Sequence, residues 1–78
     1  MKIEVLGPGC PRCQTLEANV KQAVDQLGID ADVEKITEMG QIMARGVMST
    51  PGIVIDGRVV SAGKMLSVDE IRAILEKC

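Results

Sequence analysis

Ten residues into the chain, an extended apolar run gives way to a helix, and the change happens at a pair of cysteines. Ile3, Val5 and Leu6 read as a short strand that Gly7-Pro8-Gly9 stops. Pro11 suits the first position of a helix, where its missing N–H would be unpaired anyway. Leu16, Val20, Ala23, Val24 and Leu27 recur at spacings of three and four, and Gly28 offers a left-handed stop. That spacing predicts a helix over about residues 11–27. Cys10-Pro11-Arg12-Cys13 therefore straddles a strand-to-helix junction, and this placement constrains the fold more than the cysteine spacing does.

The remaining elements follow from the same signals. Residues Ile29 to Ile36 alternate, with Ala31, Val33 and Lys35 on one side, and read as a second strand. Thr37 is expected to cap a shorter helix running through Ile42 and Met43 to near Gly46, with Gly40 costing about 1 kcal/mol relative to alanine. Beyond Thr50-Pro51-Gly52, the runs Ile53-Val54-Ile55 and Arg58-Val59-Val60 flank Asp56-Gly57. Asp-Gly between β-branched runs is a strong hairpin signal, because a type I′ turn needs positive φ at both central residues. In the last helix Ser67 and Glu70 form a capping box, Leu66 and Ile71 a hydrophobic staple, and Val68, Ile71, Ile74 and Leu75 the buried face. The order is β-α-β-α-β-β-α. A strand–helix–strand opening requires a parallel pair joined by a right-handed crossover, and the hairpin extends it. The expectation is an α/β fold, one domain over residues 1–78, with a single mixed four-stranded sheet and three helices.

Composition limits the chemistry. The 78 residues are 46% apolar yet include no Phe, Tyr or Trp, and the chain has no His. Without imidazole there is no Ser-His or Cys-His nucleophile and no histidine metal ligand. Without aromatic rings there is no stacking platform for single-stranded nucleic acid. Nine Lys and Arg against eleven Asp and Glu give a net charge of −2, with the signs mixed and no basic stripe for phosphates. The N-terminus is neither a signal peptide nor a membrane span, so neither nucleic acid nor membrane is an expected partner. A cytoplasmic, reducing location is expected, where a close cysteine pair is more often catalytic or metal-binding than structural.

Cysteines at i and i+3 on a first helical turn lie near the Cα separation that a disulfide tolerates. Cys10, at the helix start, faces unpaired N–H groups and the positive end of the helix dipole, which favour thiolate. Arg12 adds a nearby positive charge of modest effect. Cys13, a turn deeper, is expected to be less exposed and less acidic, so one thiol attacks and the other resolves. Two other readings compete: a half-buried pair with no chemistry, and a soft-metal or arsenical carrier using both thiolates. Against the carrier, the chain ends in a capped helix and Pro11 stiffens the loop. Met39, Met43 and Met48 are read as gap-fillers in a core without rings. If the last strand runs parallel to the first, a closing helix of about ten residues spans roughly 15 Å. Cys78 would then lie at the opposite pole as a free tail thiol, and no metal ligand set is expected.

Gly9-Cys10-Pro11-Arg12-Cys13 after a first strand, with Ser49-Thr50-Pro51 leading into a hairpin, resembles the thioredoxin-like superfamily, and within it the small thioredoxin/glutaredoxin-like redox-active disulfide proteins. The likeness runs from Met1 to the last helix. It implies a thioredoxin-like fold and a thiol–disulfide oxidoreductase that reduces protein disulfides. Cys10 would attack, Cys13 resolve, and Pro11 and Arg12 support them. Pro51 would be a cis-proline facing the disulfide, and the backbone of Thr50 would pair with the substrate chain. No bound cofactor is implied beyond the Cys10–Cys13 disulfide. The implied partners are disulfide-containing proteins and a flavin-dependent thioredoxin reductase or similar dithiol donor, acting on a monomer. Two departures stand out. Gly9 replaces the tryptophan that precedes the motif in thioredoxins, and Ser61-Ala62-Gly63-Lys64 lacks the glutathione-binding pattern of glutaredoxins. Glu4 precedes Cys10 by six residues, the interval at which thioredoxins place a buried acid. With Lys35 as its partner, it would accept the resolving thiol's proton if burial raised its pKa; the competing reading puts Glu4 and Lys35 on a solvated face.

Overall fold

Each element forms where the sequence supplies both a local signal and a partner to pack on. The computed structural model describes residues 1–9 and 11–77; Cys10 and Cys78 lie outside the described residues, and with them the positions expected for the attacking and tail thiols. The elements are β1 (Lys2–Leu6), α1 (Pro11–Leu27), β2 (Asp32–Ile36), α2 (Met39–Ala44), β3 (Gly52–Ile55), β4 (Arg58–Ala62) and α3 (Val68–Glu76). The strands form one mixed sheet in the order β2-β1-β3-β4. β2 runs parallel to β1, whereas β3 is antiparallel to both β1 and β4. The expected order and sheet are those observed.

Alternation along the strands divides the interior into two layers. Ile3 and Val5 of β1 and Ile53 and Ile55 of β3 face one way. They meet Leu16, Val20 and Ala23 of α1 and Ile71 and Leu75 of α3 in the larger core. Leu6 and Val54 face the other way and meet Ile42 of α2 and Val47 just beyond it. Asn19 of α1 donates to the carbonyl of Leu66 (3.0 Å), tying α1 to the approach to α3. The β3–β4 hairpin turns at Asp56 (φ 51°) and Gly57 (φ 83°), the pair of positive φ values that the Asp-Gly signal predicts. No helix among the described residues is long and apolar enough to cross a membrane.

Three expectations are corrected. β2 begins at Asp32 rather than Ile29, because its first ladder contact is the Asp32 N–H donating to the Met1 carbonyl (2.9 Å) and β1 offers nothing earlier to pair with. α2 begins at Met39 with Glu38, not Thr37, in the N-cap position and without a side-chain cap bond. The Ile42 N–H reaches the Glu38 carbonyl (3.0 Å), and that start lays Ile42 on the sheet. Met39, Met43 and Met48 do not fill the core; all three are exposed, Met48 by 87%. So short a helix covers its side of the sheet with Ile42 alone, and Ile, Val and Leu pack the rest.

α3 is the best-capped helix. The Glu70 N–H donates to Ser67 Oγ (3.2 Å), and the Ser67 N–H donates to Glu70 Oε1 (3.1 Å). Ser67→Ala removes the first of these and is expected to cost about 1 kcal/mol. A lowered denaturation midpoint at unchanged m-value checks it, and Ser67→Gly is expected to cost only a few tenths of that unit.

Candidate functional site

The strand-to-helix junction is built on close packing. β1 ends at Leu6, and the Gly7 N–H donates to the Ile36 carbonyl (2.9 Å), which keeps the chain on the sheet for one more residue. Gly9 has φ 90°, a conformation that strongly favours glycine. A bulky residue such as tryptophan in this conformation would be strained. α1 then starts at Pro11, and Thr15 Oγ1 donates to the Pro11 carbonyl (3.0 Å). Cys13 sits in this first turn, 2% exposed. A Cβ built on Gly7 would overlap the Cys13 sulfur. Cys13 is thus deep and pressed against bare backbone. Pro11 and Arg12 are exposed beside it.

The second motif arrives at the same end of the sheet by strand register. Leu6 of β1 lies opposite Gly52 of β3, so Pro51 enters the sheet where Gly7 leaves it. The Thr50–Pro51 peptide bond is cis. Pro51 is buried, and its carbonyl accepts from the Gly63 N–H (2.9 Å), which ties it to the end of β4. Thr50 is half-buried and Ser49 exposed. Residues 7–9, 11–12 and 49–52 therefore share one edge of the molecule, with Cys13 below it.

Glu4 is buried, as its place on the central strand requires, but its partner is Arg45 rather than Lys35. The reason is the period of a strand. Val5, not Glu4, pairs with Lys35, so the two side chains leave opposite faces, and Lys35 is exposed. Arg45, the residue that ends α2, reaches over that same face. Its Nε donates to both Glu4 carboxylate oxygens (3.1 Å each) and its Nη2 donates to Oε2 (2.8 Å). Its Nη1 donates to the Gln41 carbonyl of α2 (3.0 Å). Hydrogen bonds from Arg45 hold the Glu4 carboxyl below its ordinary value, outweighing the upward push of burial; the positive charges of Arg45 and Lys2 add to the lowering. A proton acceptor for a thiol needs a pKa raised toward neutrality, so Glu4 is an ionised structural anchor instead. Arg45 escaped the reading of the sequence, although it is the sole cation between Lys35 and Arg58. Strand alternation, which sets Glu4 and Leu6 on the α2 side, is the signal that could have found it.

Two consequences are measurable. Gly7→Ala is expected to displace Cys13 and to change its thiol alkylation rate in the unfolding-free range, while circular dichroism still reports the helices. For Glu4 the folded pKa lies below the ordinary 4.5, so its stabilisation is present above that value and lost as pH falls through the folded pKa. The difference in denaturation midpoint between the protein and Glu4→Gln is expected to hold above 4.5 and to shrink as pH falls below it.

A family model described as a thioredoxin domain matches residues 1–76. A protein named thioredoxin from Methanothermobacter thermautotrophicus is 48% identical over 75 residues, spanning 96% of this chain and 97% of its own length. One of the same name from Methanocaldococcus jannaschii is 45% identical over 74 residues, spanning 95% of this chain and 85% of its own. A solved structure described as that of a malarial protein shares the fold, with a TM-score of 0.72 at 13% identity, covering 97% of this chain and 93% of that one. With near full-length agreement at this level of identity, the chain belongs to the thioredoxin family.

Proposed function

We propose that the protein is a thiol–disulfide oxidoreductase that reduces disulfides in other proteins through Cys10 and Cys13. The Cys10 thiolate attacks one sulfur of a partner disulfide. A bond forms between Cys10 and that sulfur, and the other partner sulfur leaves as a thiolate that takes up a proton. Cys13, deprotonated, then attacks the Cys10 sulfur and expels the second partner thiol. Two electrons and two protons pass from the dithiol to the partner, and a Cys10–Cys13 disulfide remains. A dithiol donor, such as a flavin-dependent reductase, reverses that bond and recharges the protein, which works as a monomer in a reducing cytoplasm with no bound cofactor.

The observation that carries this reading is the seat of Cys13. A cysteine held in the first turn of α1 against bare Gly7 backbone, three residues after a second cysteine in sequence, suits a resolving thiol. Family membership supports the same chemistry. The strand register that aligns Thr50 and Pro51 with this edge supports an extended partner chain lying there through backbone hydrogen bonds.

Trapping tests it. Cys13→Ser in a cell extract is expected to accumulate mixed disulfides through Cys10, released by a reductant and absent when Cys10 is also replaced by serine. Insulin reduction by dithiothreitol is expected to accelerate with the protein and to lose that acceleration with Cys10→Ser. Unchanged rates with Cys10→Ser and no trapped species would overturn the reading.

A further inference from the structure

The segment that delivers Thr50 and Pro51 has little to hold it. α2 is six residues long, contains Gly40, has no side-chain N-cap bond and buries Ile42 alone. After it, Arg45, Gly46 and Val47 close the turn by donating their N–H groups to Ile42, Met43 and Ile42 carbonyls in turn (3.2, 2.9 and 3.3 Å). Val47 is then buried, and its Cγ1 lies 2.9 Å from where a Cβ on Gly52 would stand. A side chain at position 52 has no room, so Val47 seats directly on the backbone that follows Pro51.

At the head of this chain of contacts stands the Arg45 guanidinium, forked onto Glu4 of the central strand and bonded to Gln41 of its own helix. Glu4 is rigid because β1 pairs on both sides, with Glu34 and Val54 as its neighbours in the ladder. A planar guanidinium holding both carboxylate oxygens fixes orientation as well as distance, which a single ammonium cannot do. Lys2, Asp32 and Glu34 share this side of the sheet by register; all three are exposed, Lys2 and Glu34 are paired with each other at 3.5 Å, and they leave the fork intact.

We infer that the Glu4–Arg45 pair is a clamp that positions residues 46–51, and that Arg45 thereby acts as a positioning residue for partner binding at Thr50 and Pro51. The inference rests on the exchange reading above for the part that concerns partners. The pair braces α2 against β1, the closing turn carries that constraint to Val47, and Val47 seats the chain at Gly52. Cys13, at the same end of the sheet, is seated against Gly7 by a contact of its own. The clamp therefore governs how well a partner chain is held, not the redox equilibrium of the cysteines.

The test uses Arg45→Gln and Arg45→Lys in the full chain, with insulin as the probe disulfide and dithiothreitol as reductant. Arg45→Gln is expected to raise KM for insulin about three- to tenfold at nearly unchanged kcat. The equilibrium constant of the cysteine pair with glutathione is expected to be unchanged. Arg45→Lys, which keeps the charge and loses the fork, is expected to fall between. Amide hydrogen exchange of Arg45, Gly46 and Val47 is expected to quicken about tenfold in Arg45→Gln while β1 and β3 amides hold their rates. A shifted glutathione equilibrium with unchanged KM overturns the inference, and so does exchange that rises equally throughout the protein. Should Arg45→Gln fail to fold, Glu4→Gln, which keeps the side-chain volume but replaces one of the two accepting oxygens with an N–H donor and so breaks the fork, is measured by the same exchange and KM readouts. A wild-type protein that does not reduce insulin overturns the exchange reading instead, and the amide exchange rates still decide whether the clamp exists.

Discussion

The pairing of β1 with β3, Leu6 opposite Gly52, is the constraint on which the rest of the structure depends. It makes the departure of one chain segment toward α1 coincide with the arrival of another from α2. Because side chains alternate along a strand, a slip of one residue would also send Glu4 into the layer of Ile3 and Val5, among apolar side chains of α1 and α3. A carboxylate without a partner there carries a large desolvation cost. The register is thus held twice, by apolar contacts on one face and by a charge that has a partner only on the other.

That charge also shows how a small core without aromatic rings is organised. The larger layer is closed by two helices and ordinary aliphatic packing. The smaller layer, under α2, contains only four fully buried side chains among the described residues, Leu6, Ile42, Val47 and Val54. Arg45 and Glu4 sit at its margin, where the carboxylate is nearly enclosed and the guanidinium partly solvated. A pair of this kind is weak evidence for raw stability, since solvation of both charges must be given up. Its forked geometry is better suited to specifying where α2 lies, which apolar contacts around one isoleucine specify poorly.

Much of this was legible in the chain itself. The signals were local: Pro11 opening a helix, Asp56-Gly57 requiring two positive φ values, Ser67 and Glu70 capping each other. What failed were judgments about surroundings. Met39, Met43 and Met48 read as core because methionine packs well, yet helical spacing cannot say how much of a six-residue helix the sheet will cover. Lys35 was paired with Glu4 because the strands are neighbours, but neighbouring strands bring together only residues in matching phase. Thr37 carried a good capping side chain at a position where the helix did not start, since the seat of Ile42 chose the start.

By itself, then, the sequence determined the order of the elements, their turns and caps, and the placement of two cysteines where a strand becomes a helix, because each of these is decided within a few residues. Tertiary structure alone decided that Cys13 lies against Gly7, that Pro51 meets the same edge, and that Glu4 is held by Arg45. The last two join residues far apart in the chain. They depend on strand register and on which face each side chain takes, and both are settled only when the layers pack.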